Sequence, residues 1–243
     1  MKQEEIYKDI YADKLTKLVF RYRWIYEKFL FGFKNKKILE LGCPGSGGII
    51  QFLKNDNEVY GADISESSVK ILKSKGFKSF LINLNEGTIP FKDKYFDDII
   101  FIGTIEHLYN PQHGMEEVKR VLKTNGTLLI SIPNPATGHY QIYPKLYTHK
   151  QFKIYLAKNG FKVRRFKKYG ICFPFYNWFV KSSKVKGKVD TYVDNWVIGA
   201  LVYLLSYIPR PKSFGWSWIY ECTNLDKKND SEEYMKDFTT LYK

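Results

Sequence analysis

The 243-residue chain has room for one α/β-sized domain with an extension, and not for two full domains. With 44% hydrophobic and 26% charged residues it lies in the globular range, which excludes a disordered chain, a collagen-like fibre and a disulfide scaffold. The net charge of +14 is concentrated: residues 118–189 hold 16 basic residues and no acidic one, whereas the rest of the chain holds 23 basic and 25 acidic.

The N-terminal residues MKQEEIYKDIYADKL carry four acidic side chains and no apolar run, so no secretory signal is expected there. Residues Glu4 to Phe31 read as one or two amphipathic helices. From Lys37 the rhythm changes to short apolar runs alternating with helical segments, the pattern of a parallel α/β sheet. Strands are expected at Lys37–Leu41, Glu58–Ala62, Ser79–Ile82, Asp97–Ile102 and Thr127–Ile132. Helices fall between them at Gly48–Asn55, Glu66–Lys75 and Pro111–Leu122. Thr148 is placed to cap a helix that runs to Lys158 and ends at Asn159–Gly160, and FKVRRFKKYG reads as a sixth strand. Residues 173–213 then break the alternation with aromatic, basic and apolar blocks, before a last strand at Trp216–Thr223.

That order predicts an N-terminal helical cover over 1–35, a core over 36–172, a lid or membrane-surface insertion over 173–213, and the last core strand with a tail over 214–243. The longest uncharged C-terminal run, Asn195 to Pro209, is too short for the roughly 20 apolar residues of a membrane span. Within it, Trp196–Pro209 admits three readings: a core helix, an interfacial helix beside the preceding lysines, or a partner-binding face. The basic stretch likewise suits nucleic-acid phosphates, anionic headgroups or a phosphorylated small molecule, or is a solvated lysine-rich face. Three widely spaced cysteines, Cys43, Cys172 and Cys222, provide neither a disulfide framework nor a CxxC zinc site. A reducing, cytoplasmic setting with peripheral membrane contact as a further option is the expectation, with no metal.

The most informative segment is KKILELGCPGSGG. An apolar strand ends in Glu40, and Gly42, Gly45, Gly47 and Gly48 precede an expected helix. Small residues let the backbone approach a ligand, and a helix start beyond them would offer unpaired N–H groups. The second strand ends in Asp63, 21 residues after Gly42, where a carboxylate can accept both hydroxyls of a ribose. Asp63 or Ser65 could instead cap the following helix. A dinucleotide needs the order GxGxxG for its pyrophosphate, but here Ile50 stands where the third small residue belongs and Glu40 would repel the phosphates. An ammonium and a sulfonium suit that carboxylate better, which favours S-adenosylmethionine.

Those residues, together with VYGADISESSVK, LINLNEGTIPFKDKYFDDIIFIGTIEHL and EEVKRVLKTNGTLLISIPNP, resemble the class I S-adenosylmethionine-dependent methyltransferases, in particular the type 11/23 group that includes ubiquinone and menaquinone methyltransferases. The resemblance spans about Lys36 to Gly170 and implies a Rossmann-like fold with a seven-stranded, mainly parallel sheet and helices on both faces. It implies that Glu40, Gly42, Gly45 and Gly47 surround the methionine and sugar of S-adenosyl-L-methionine. It further implies that Asp63 holds the ribose with Ile64 against the adenine, that Asn83 and Leu84 meet the adenine edge, and that Gly103 and Thr104 line the floor beneath the methyl group. Two departures stand out. Pro44 lengthens the family's E-x-G-x-G-x-G turn by one residue, and Asn83 stands where family members often carry Asp; its carbonyl can still pair with the adenine amino group.

Methyl transfer from a sulfonium expels a neutral leaving group, so alignment carries most of the catalysis and a base is needed only when the acceptor must lose a proton. His107, after the fourth strand, could be that base or a packing residue at the start of a helix. Tyr140, Tyr143, Tyr147 and His149 could contact the acceptor or pack a surface loop against the lid. Three functions follow. The first is a methyltransferase for a small-molecule or lipid-linked acceptor, an anionic one being among the options that the basic stretch leaves open. The second is an RNA methyltransferase steered by the basic stretch, and the third a non-catalytic S-adenosylmethionine-binding protein.

Overall fold

The computed structural model describes residues 19–134, 148–170, 204 and 217–225. The expected N-terminal helix before Val19, Tyr140, Tyr143 and Tyr147, Cys172, the insertion over 173–213 with its run Trp196–Pro209 (Leu204 apart), and Trp216 lie outside the described residues.

Seven strands form one sheet: β1 (Lys37–Leu41), β2 (Glu58–Asp63), β3 (Lys78–Leu81), β4 (Phe96–Phe101), β5 (Leu122–Pro133), β6 (Phe161–Tyr169) and β7 (Ser217–Asn224). Their order is β3-β2-β1-β4-β5-β7-β6. β1 to β5 pair in parallel, and β7 runs antiparallel to both β5 and β6. β6 therefore points the same way as β5, and its carboxyl end shares an edge with those of β1, β4 and β5. The helices are α1 (Val19–Ile25), continued by one π-helical turn over Tyr26–Leu30, α2 (Glu66–Ser74), α3 (Pro111–Val121) and α4 (His149–Lys158).

Both faces of the sheet are covered, which is why its central strands read as unbroken apolar runs. Leu39, Leu41, Ile99, Phe101, Leu128 and Ile130 meet Met115, Val118 and Val121 of α3 and Phe152 and Leu156 of α4. The intervening residues Ile38, Ile100, Ile102 and Leu129 meet Tyr22, Trp24 and Ile25 of α1 together with Ile49, Ile50 and Leu53. Trp24 also lies against Tyr169 at the end of β6, ring centres 5.3 Å apart, which fixes α1 near the carboxyl edge of the sheet.

The helix starts follow their caps. Asn110 and Pro111 open α3, and Thr148 with Gln151 forms a capping box on α4. One expected helix is corrected. Gly48–Asn55 forms only a 3-10 turn, Ile50–Phe52. Gly47 and Gly48 stand at φ +102° and +48°, and the chain must turn back at Asn57, whose side chain binds the carbonyls of Leu53 and Phe33. Too little chain remains for an α-helix. β5 starts earlier than expected, because Leu122 pairs with Phe96 before a register shift that Asn125, at φ +59°, and Gly126 accommodate.

Lys119 of α3 donates to the carbonyls of Gly160 and Leu225 and to Asn224 Oδ1, tying α3 to the turn after α4 and the end of β7. Lys119→Met leaves those oxygens short of donors, so urea unfolding is expected to report a loss of about 1–3 kcal/mol without a change in the sheet order. An unchanged midpoint would show that solvent replaces the ammonium.

Candidate active site

At the end of β1 the chain enters the turn Gly42-Cys43-Pro44-Gly45-Ser46-Gly47. Cys43 N donates to Ala62 O at 2.9 Å, and Gly47 N closes on Pro44 O at 2.9 Å. The extra proline thus sits inside a closed turn and, lacking an N–H, leaves no donor unmet there. Gly42 has φ +70°, and a Cβ on it would run into the side chain of Thr104, so the ends of β1 and β4 approach as only glycine permits.

Glu40 is sealed beneath this turn at 2% exposure. Its Oε2 accepts from Ile49 N at 2.8 Å and Ile50 N at 3.0 Å, and its Oε1 accepts from Ile49 N at 3.1 Å. The amides that the expected helix start would have offered to a ligand are therefore taken by a carboxylate of the chain itself. Burial pushes the Glu40 carboxyl up to about 7 against the pull of those two amides. Burial likewise raises the Cys43 thiol beside it.

Asp63 closes β2, half-buried. Its Oδ1 accepts from Ser65 N at 2.7 Å, while Ser65 Oγ accepts from Ser68 N at 3.3 Å and caps α2. Capping thus falls to Ser65, and the Asp63 carboxylate keeps accepting capacity for a ligand. Burial lifts its carboxyl to about 6. Ile64 follows it, half-buried. Leu84 lies in the core under the β2 side. The Asn83 side chain is engaged by its own turn: Oδ1 accepts from Asn85 N and Nδ2, and Nδ2 donates to Glu86.

Across the sheet, Gly103 stands at φ +64° after β4 and donates its N–H to Ser131 Oγ of β5 at 3.0 Å. Thr104 Oγ1 points back to Leu41 O and Ile102 O. His107, half-buried, ends the 3-10 turn Ile105–His107, with its N–H on Thr104 O. His149 instead joins the outer strands: its Nδ1 lies 2.8 Å from Tyr220 Oη, and its ring stacks on that of Tyr220.

Gly42, Gly45, Gly47, Asp63, Gly103 and Thr104 thus converge at the carboxyl edge of β1, β2 and β4, whereas Glu40 acts from below through the turn. Three further residues join them. α1 delivers Arg21 and Tyr22 to this edge; Arg21 Nη2 donates to Ser131 Oγ at 3.2 Å. Tyr22 is buried, its hydroxyl held well above its ordinary range by that burial and by the nearby charge of Glu40. No motif marks Arg21 or Tyr22. Ser131 carries one faint signal, a lone hydroxyl in the apolar run LLISIP.

Residues 39–130 match the family model described as a methyltransferase domain. An uncharacterised protein of Methanocaldococcus jannaschii is 33% identical over 54% of this chain and 58% of its own length. A Mycobacterium tuberculosis protein named as a probable S-adenosylmethionine-dependent methyltransferase is 26% identical over 48% of this chain and 43% of its own. The chain thus spans only about half the length of these relatives. A solved S-adenosylmethionine-dependent methyltransferase from Aquifex aeolicus shares the fold, with a TM-score of 0.57 at 18% identity, covering 93% of this chain and 100% of that one.

Sheet order and glycine turn together define a class I, Rossmann-like methyltransferase fold. The match over residues 39–130 and the similarity to a probable S-adenosylmethionine-dependent methyltransferase make S-adenosyl-L-methionine the implied cofactor. The residues fit that group. The glycine cradle admits close approach, Asp63 retains accepting capacity, and the buried carboxylate of Glu40 gives the turn the electrostatic sign that a sulfonium and an ammonium favour.

Proposed function

We propose that the protein is an enzyme that transfers a methyl group from S-adenosylmethionine to a small-molecule or lipid-linked acceptor. The observation that carries this reading is Glu40 occupying the amides of Ile49 and Ile50, which leaves the turn unsuited to phosphates and suited to a cationic ligand. Bound there, S-adenosylmethionine supplies an electrophilic methyl on sulfur, whose departure as a thioether needs no acid. The chain's part is to hold and align: Asp63 takes the ribose hydroxyls, the glycine turn seats the methionine, and Gly103 and Thr104 floor the reacting centre. His107 takes a proton from an acceptor that must lose one. A compact acceptor is supported by α1, which packs on the sheet and narrows the edge with Arg21 and Tyr22.

A second reading, RNA as acceptor, has one specific observation in its favour. On β6, the outermost described strand on its side, Lys162, Arg164 and Lys167 are exposed, and the strand's carboxyl end reaches the same edge as the candidate site. One experiment decides between them. The purified protein is incubated with labelled S-adenosylmethionine and a cell extract, and label is expected in a small-molecule or lipid fraction. Label in RNA, with RNA retention that falls steeply with salt, would establish the second reading. Saturable cofactor binding with no label in any fraction would point to a non-catalytic binding protein. Among the described residues no helix is long and apolar enough to cross a membrane.

A further inference from the structure

Arg21 reaches the edge of β4 and β5 with more donors than the described chain uses. Its helix is fixed from below, since Trp24 and Ile25 are buried among Ile38, Ile100, Leu129 and Ile219. Among the described residues the guanidinium makes one hydrogen bond, Nη2 to Ser131 Oγ, and that oxygen also receives the Gly103 amide. A Cβ built on Gly103 would lie 3.6 Å from both Nη1 and Nη2, and 3.8 Å from Glu106 Oε1. The guanidinium therefore spreads over Gly103, beside the residues that floor the reacting centre. Among the described residues its enclosed Nε has no hydrogen-bond acceptor.

A guanidinium with Nε–H and a neighbouring Nη–H aimed the same way is shaped for the paired oxygens of a carboxylate or phosphate, and a donor enclosed without an acceptor marks where a ligand atom completes the set. Ser131 steadies the other side of the fork, and Gly103 keeps the space above it open. We propose that Arg21 is the anion-binding residue of the cleft, receiving a carboxylate or phosphate oxygen pair at the ends of β4 and β5. The anion comes either from the methionine part of the cofactor or from the acceptor. Only that identity rests on the methyltransferase reading.

The test compares the wild type with Arg21→Met and Arg21→Lys by calorimetry, using S-adenosylhomocysteine and 5′-methylthioadenosine, which lacks the carboxylate. A loss of tenfold or more for the first ligand in Arg21→Met, with no change for the second and partial recovery in Arg21→Lys, assigns the anion to the cofactor. If S-adenosylhomocysteine binding is unchanged, inorganic phosphate is added to the loaded proteins. Thermal stabilisation of the wild type that Arg21→Met abolishes then assigns the anion to the acceptor. Arg21→Met with unaltered responses in both arms overturns the proposal, as does an equal loss for both nucleosides, which marks a merely structural arginine. A wild type that binds neither nucleoside sinks the methyltransferase reading, while the phosphate arm on the unloaded protein still decides for or against Arg21. Should Arg21→Met not fold, Arg21→Lys, which keeps the charge but not the fork, carries the same comparisons.

Discussion

Raising the pH from 5 to 8 is expected to tighten S-adenosylmethionine binding while it destabilises the empty protein. Burial holds the Asp63 carboxyl at about 6 and the Glu40 carboxyl at about 7, both above the values near 4 of exposed carboxylates. An acid whose folded value is raised keeps its proton in the folded chain after the unfolded chain has lost it. The folded state therefore binds more protons between about pH 4 and 7, and its stability falls across that window. Below it both states are protonated and the penalty is absent; above it the penalty is complete, a few kcal/mol in order of magnitude for the two groups together.

A ligand that brings ribose hydroxyls to Asp63 and positive charge towards Glu40 selects the ionised forms, so binding releases protons at acidic pH. Asp63 alone accounts for about a tenfold gain in affinity between pH 5 and 8, levelling off above its folded value. Calorimetry in buffers of different ionisation heat counts the released protons directly. Asp63→Asn is expected to remove the tenfold share that Asp63 contributes and to weaken binding at pH 8, and the slope that remains belongs to Glu40. A pH-independent affinity, or a slope that survives undiminished in Asp63→Asn and Glu40→Gln alike, would place the titrating groups elsewhere.

The same two carboxylates show how far the sequence alone reaches. Asp63 was legible because a parallel strand followed by a glycine turn and a second strand fixes its distance from Gly42 in both sequence and space. The central strands were legible because they are buried on both faces and therefore mainly apolar, and the helix starts because Ser65, Asn110 and Thr148 cap by local hydrogen bonds. Glu40 was placed at the right turn, but the path of its side chain was not legible. Its spacing suggested a carboxylate facing the ligand, whereas its side chain folds under the turn and takes the amides of Ile49 and Ile50. Periodicity does not report such a contact, because it depends on the positive φ of Gly47 and Gly48, and the same geometry removed the expected helix over Gly48–Asn55. Arg21 was out of reach for another reason. Its position follows from the packing of Trp24 against Tyr169, a contact across 145 residues of chain that no local pattern encodes.

Gly48→Ala is expected to cost about 3 kcal/mol or more and to abolish cofactor binding, although alanine adds a single methyl group. A Cβ at this position falls on the Glu40 carboxylate, 2.5 Å from Oε2 and 2.6 Å from Cδ, and close on Oε1. Glu40 has nowhere to retreat, being 2% exposed and held by two backbone amides. Moving it would strand those amides in the core, at about 1–3 kcal/mol for each donor left unmet, and the φ of +48° at residue 48 adds strain for any side chain. Relief therefore has to come from the turn itself, which carries Gly45 and Gly47 out of register with Asp63. The clash is specific to one pair, so a double-mutant cycle isolates it. Glu40→Ala alone loses the amide acceptors and destabilises. In the double variant Glu40→Ala/Gly48→Ala the second substitution should add far less than it does alone, and the coupling should exceed about 1 kcal/mol. Urea unfolding of the four proteins, read with S-adenosylhomocysteine affinity, measures it. Strict additivity would mean that Glu40 does not lie under the turn, and the account of how this site discriminates against phosphate would go with it.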